Sequence, residues 1–85
     1  MSVRTLEIID EIRSELAMAR RVYPDFHSGH EAYATLLEEV DELWDAVRLN
    51  QRRPERSALM RKEAIQVAAM AIRFIEDVCE RETPA

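Results

Sequence analysis

Eighty-five residues with a net charge of −5 make one domain whose own core is too small to be comfortably stable. One Gly and three Pro leave almost nothing for β-hairpin turns, while abundant Ala, Leu, Glu and Arg favour helix. The acidic balance argues against nucleic acid as the main partner, the single Cys79 rules out an intrachain disulfide, and no apolar run reaches the ~18 residues of a membrane span.

Residues 1–20 alternate charge and apolarity too tightly for a signal peptide, so a reducing, cytoplasmic setting is expected. A helical chain this short is expected to complete its core by oligomerising. The expected fold is therefore all-α: an antiparallel bundle of about three helices per chain over residues 1–85, completed by a second copy.

The first helix is predicted from Val3 to Val22. Leu6, Ile9, Ile12, Leu16 and Ala19 recur at three- and four-residue steps, and Ile8 widens the stripe. Tyr23-Pro24 ends it, because Pro lacks the donor and biases Tyr23 away from helix. In the loop that follows, Phe26 is expected to anchor to the core. Ser28 is a good N-cap, and Glu31 three residues later completes a capping box. His27 and His30 flank this start, in capping roles or as contacts to a base or phosphate.

The second helix is predicted from Gly29 to Asn50. Tyr33, Leu36, Leu37, Val40, Leu43, Trp44 and Val47 cluster within about 120° of its wheel, which predicts core packing for Tyr33 and Trp44. Glu38, Asp41 and Asp45 read as a solvated face. Glu39 and Glu42 instead share a flank with Ala32, Thr35 and Ala46, and small residues beside two acids leave room for a ligand or a close helix.

Asn50 to Arg53 is predicted as a turn, with Asn50 left-handed and Pro54 opening the third helix. Arg48, Arg52, Arg53, Arg56, Arg61 and Lys62 surround it. These cations either complement the dipole of the second helix or form a phosphate-binding rim.

The third helix is predicted from Pro54 to Glu82, with an irregularity near Ser57 and fraying from Arg81 to Ala85. Its apolar arc is wider than one partner requires, so it should be central. Met18, Met60 and Met70 read as core fillers and Cys79 as a buried, inert thiol. Glu63 is the only carboxylate on the broad apolar side of this helix, and a buried carboxylate normally pairs or binds metal. Gln66 follows one turn later. Arg73 lies on its flank, to reach a phosphate or to pair with Glu76 or Asp77.

The short turn makes the second and third helices antiparallel neighbours, so Glu39 and Glu42 can face Glu63 and Gln66. Oxygen donors without a Cys or His cluster suit Mg²⁺, or Mn²⁺, together with substrate phosphates.

Glu38-Glu39-x-x-Glu42-Leu, followed after a spacer by Glu63-x-x-Gln66, resembles the MazG-like all-α nucleoside triphosphate pyrophosphohydrolases, whose signature is E-x-x-E then E-x-x-D. The likeness covers roughly residues 30–78, including His30-Glu31-Ala32-Tyr33 and Ala69-Met70-Ala71-Ile72-Arg73-Phe74. It implies a helical dimer or tetramer and Mg²⁺-dependent cleavage of a nucleoside triphosphate to the monophosphate and pyrophosphate. Glu39, Glu42 and Glu63 would be catalytic metal ligands, with Gln66 a further metal ligand through its carbonyl oxygen, and Arg53, Arg56, Lys62, His30 and Arg73 candidates for substrate contact. The sequence departs from the signature at Gln66, where the family has Asp. That departure keeps two alternatives open: a catalytically impaired nucleotide- or metal-binding module, and a purely structural helical oligomer.

Overall fold

The computed structural model describes residues 1–82, and these form three long helices with no strand: α1 (Val3–Val22), α2 (Gly29–Val47) and α3 (Arg56–Phe74). A π-helical turn, Ile75–Cys79, and a last helical turn, Glu80–Glu82, continue the line of α3. No helix is long and apolar enough to cross a membrane.

Local chemistry accounts for the boundaries. Ser2 caps α1 by accepting the Thr5 N–H at 3.1 Å, and Tyr23 leaves the helix at φ −118°, ψ 145°, as the following proline requires. Ser28 caps α2 by accepting the Glu31 N–H at 3.1 Å. The Glu31 carboxylate reaches back to the His27 N–H at 3.3 Å, one residue beyond the N-cap N–H that a capping box uses.

The turn between α2 and α3 is longer than its sequence suggests. α2 stops at Val47 and α3 starts at Arg56, so Pro54 lies before the helix and not inside it. Asn50 is not left-handed, since no described residue has positive φ; its side chain instead accepts the Arg52 N–H at 2.9 Å. Arg56 donates from Nε and Nη2 to the Val47 carbonyl at 3.0 and 2.7 Å, satisfying an end group of α2. Arg53 bonds Glu55 at 2.6 Å, and Arg48 pairs with Asp45 at 3.0 Å.

Cross-links give the register. Arg61 to Glu11, Gln66 to Glu15 and Arg20 to Glu76 and Asp77 ascend together, so α1 runs parallel to α3. Arg56 to Val47, and Glu63 beside Glu39 and Glu42, run in opposite senses, so α2 is antiparallel to α3. α3 packs against both neighbours, while α1 and α2 scarcely touch each other. The result is a central helix with an open space above it.

The core is thin. Ala19, Phe26, Ala32, Ala69, Met70 and Val78 form its cluster, with Ile12, Leu16, Leu36 and Phe74 packed around them. Ala32 and Ala69 are fully buried, which lets α2 and α3 approach closely. The small-residue flank of α2 therefore faces inward. Its aromatic stripe does not: Tyr33 is 61% exposed and Trp44 58%, with Leu37 and Val40 exposed between them, contrary to the core role predicted for the two aromatics. The wheel correctly groups these residues, but the close helix–helix contact goes to the alanines one flank over.

Other expectations are also corrected. Met18 is half exposed and only Met70 of the three methionines is buried; Cys79 is exposed. No irregularity occurs at Ser57. The departure from α-helix falls at the π turn, where the Glu80 N–H bonds the Ile75 carbonyl. Within that turn Asp77 and Val78 are both buried. Val78 meets α2 at Gly29, and Asp77 accepts the Phe26 N–H at 3.0 Å and Arg20 at 2.6 Å. Burial pushes the Asp77 carboxyl up, but the Phe26 N–H and the Arg20 guanidinium outweigh it and hold the group below its ordinary range. Arg81 is anchored to the Phe26 carbonyl, so fraying does not begin there; residues 83–85 lie outside the described residues.

Candidate functional site

Three carboxylates from two helices meet beside the α2–α3 contact. Ligand oxygens of Glu39, Glu42 and Glu63 all lie within 4.8 Å of one another, the one such group of three among the described residues. Glu39 and Glu42 are one turn apart on α2, so they share a flank. The alanines on that flank, Ala32 and Ala46, draw the two helices together and bring Glu63 of α3 opposite. Glu39 and Glu63 are half-buried, and Glu42 is exposed.

Burial and crowding raise the proton affinity of Glu39 and Glu63. Glu39 is pushed up to about 7, by burial first, then by Glu42, Glu63 and Glu38. Glu63 is also raised, by burial and then by Glu42, with Lys62 pulling the other way. Like charges this close ionise together only against resistance, unless a cation joins them.

The donor set fits a hard divalent ion. Oxygens that share one octahedral Mg²⁺ stand about 3 Å apart when adjacent and about 4 Å when opposite. A group already within 4.8 Å would close on such an ion with side-chain movements alone.

Next to these acids, the gap between α1 and α2 is a cleft of about 520 Å³ floored by α3. Glu39 belongs to its wall as well as to the cluster. Met18, Ala19, Phe26 and Met70 supply apolar surface, and Glu15, Gln66 and Arg73 supply polar groups. Gln66 donates its Nε2 to Glu15 at 2.7 Å. A carboxylate only accepts, so the amide must turn its N–H toward it. Glu15 carries no sequence signal of its own, being one of several acids along α1.

The other sequence candidates are dispersed. Arg56 caps α2, Arg53 is paired with Glu55, and Arg56 stands seven positions before Glu63, about 10 Å along α3. Lys62 is exposed next to Glu63, and His30 is exposed in the first turn of α2. Arg73 is buried at 2% exposure, stacks 4.1 Å over the Phe26 ring and donates to the Pro24 carbonyl at 2.9 Å. Glu76 and Asp77, its expected partners, are taken by Arg20 at 2.8 and 2.6 Å. The Nε of Arg73 is buried with no hydrogen-bond partner.

Comparison of the chain with protein-family models, with curated proteins and with solved structures returns no match.

Proposed function

We propose that the protein is a Mg²⁺-dependent nucleoside triphosphate pyrophosphohydrolase of the MazG-like kind, acting on a non-standard or surplus nucleotide. The observation that carries this reading is the convergence of Glu39, Glu42 and Glu63 from two helices. The signature spacing that suggested the family says only which residues share a flank; their meeting across the helix pair is a separate, spatial condition. The cleft beside them has room for a nucleoside.

In this reading Glu39, Glu42 and Glu63 hold the cation, with Mn²⁺ as a substitute. When bound, the ion neutralises phosphate charge and polarises the phosphoryl group. Water attacks phosphorus, the bond to the bridging oxygen between the α and β phosphates breaks, and monophosphate and pyrophosphate leave with the released proton taken up by solvent or a carboxylate. Lys62, exposed next to Glu63, is the cation best placed to meet phosphates. His30 and Arg56 lie further along α2 and α3, Arg53 lies in the turn between them, and Arg73 lines the cleft.

The same reading includes self-association. Tyr33, Leu37, Val40 and Trp44 follow steps of four, three and four along α2, the spacing of a helix–helix seam, and all are exposed. A second copy laid on this stripe would cover the aromatic surface that the thin core leaves in water.

The test is pyrophosphate release from a panel of canonical and modified nucleoside triphosphates with Mg²⁺ and Mn²⁺. Turnover that disappears in Glu39→Gln supports the proposal. No turnover, with metal and nucleotide binding unchanged by Glu39→Gln, refutes it. A second reading, a nucleotide-binding module without turnover, is favoured by Gln66, whose amide is engaged with Glu15. It predicts Mg²⁺-dependent nucleotide binding with no pyrophosphate formed.

A further inference from the structure

Gln66 stands where the signature has an acid, yet it does not leave the position without negative charge. Its Nε2 holds the Glu15 carboxylate at 2.7 Å, and that carboxylate comes from a different helix. Gln66 lies one turn beyond Glu63 on the same side of α3, and the Glu15 carboxylate it holds reaches from α1 into the cleft that Glu39 also lines. Glu15 and Glu39 line opposite walls of the cleft, on α1 and α2.

The remaining acids of that cleft are accounted for otherwise. Glu31 accepts the His27 N–H, and Glu38 stands on the α2 wall of the cleft as a solvent-exposed side chain. Glu15 is half-buried, and among the described residues no Lys, Arg or His forms a salt bridge with it. An acid at position 66 would set two carboxylates against each other across this contact, so Gln66 and Glu15 are chemical complements.

We propose that Glu15 supplies the fourth acidic group of the centre from α1, held there by Gln66, and acts on a divalent cation at Glu39, Glu42 and Glu63 through intervening water. The inference rests on the metal-site reading above. Glu15 is a positioning residue in this scheme. Its charge adds to the field at the cation, and its free oxygen accepts hydrogen bonds from water in the cleft. Such outer partners of a metal site commonly contribute 10- to 100-fold in affinity.

The experiment measures Mn²⁺ affinity of the nucleotide-free protein by electron paramagnetic resonance, beside pyrophosphate release, in four variants: Glu15→Gln, Gln66→Glu, the double exchange Glu15→Gln/Gln66→Glu, and Glu39→Gln. Circular dichroism confirms that each is helical. Glu15→Gln should weaken Mn²⁺ by about tenfold. The double exchange, which moves the charge across the same hydrogen bond, should recover affinity to within about threefold of wild type. Mn²⁺ affinity unchanged in Glu15→Gln while Glu39→Gln abolishes binding overturns the role of Glu15 and leaves the three-carboxylate reading intact. A Glu15→Gln loss that the double exchange fails to recover also overturns it, because the contact is then only packing. Unchanged binding in Glu39→Gln removes the metal site itself.

Discussion

Replacing Glu39 by Gln tests the physics of the carboxylate group without any substrate. The folded protein raises the Glu39 carboxyl from 4.5 to about 7, so it holds this proton more tightly than the unfolded chain does. The contribution of Glu39 to stability therefore falls as pH rises from 4.5 to about 7, and the full penalty remains above that. At about 1.4 kcal/mol per unit the penalty is bounded near 3 kcal/mol. Glu39 is only half-buried, and solvent screening reduces the expected value to about 1–2 kcal/mol. A Gln of the same shape carries no charge. Glu39→Gln should thus melt about 5–10 °C above wild type at pH 8.5, with the gap closing toward pH 5. Millimolar Mg²⁺ should raise the wild-type melting temperature at pH 8.5 by mass action and leave the variant where it was. Thermal melts followed by circular dichroism read both effects. A variant less stable than wild type at pH 8.5, or more stable by the same amount at every pH, would refute the account of crowded carboxylates.

Three further outcomes are expected. Asp77→Ala should cost about 2–4 kcal/mol in urea unfolding, because it strands the Phe26 N–H and Arg20; since the Asp77 carboxyl is held low, that contribution is present at neutral pH and fades as pH falls below about 4. Gly29→Ala should stabilise α2 by about 0.4–1 kcal/mol, because the added Cβ would sit 3.8 Å from Val78, an ordinary contact; destabilisation would show that this helix start is tighter than described. Leu37→Glu should convert an oligomer to monomer in light scattering and shift Trp44 fluorescence to the red; if wild type is already monomeric, the seam on α2 has another use.

Helix content was legible because its signals are local. The Tyr23-Pro24 stop and the Ser28 cap depend on neighbours a few residues away, and both stand where the sequence put them. The same locality explains Glu39, Glu42 and Glu63: a wheel gives the flank, and a short turn gives antiparallel neighbours. What the wheel does not give is which flank packs. On α2 the alanines won the close contact over the larger Tyr33 and Trp44, since helix axes approach where side chains are small. Glu15 and the Arg20–Asp77 pair were invisible because they depend on the parallel placement of α1 along α3, a relation separated by more than fifty residues. The π turn left no mark in the periodicity of Ile75 to Cys79.

The segment from Tyr23 to Ser28 is fastened from three sides by the α3 line: Arg73 to the Pro24 carbonyl, Asp77 to the Phe26 N–H, and Arg81 to the Phe26 carbonyl. Pro24 and Phe26 also form one end of the cleft. That end is consequently preorganised: under the proposed function, an arriving ligand would meet a wall already in position and would not lose affinity to ordering a loop. Any selectivity by size at this end then belongs to the free protein, and loosening one fastening, as in Arg81→Ala, would widen the range of ligands accepted before it lowered the melting temperature appreciably.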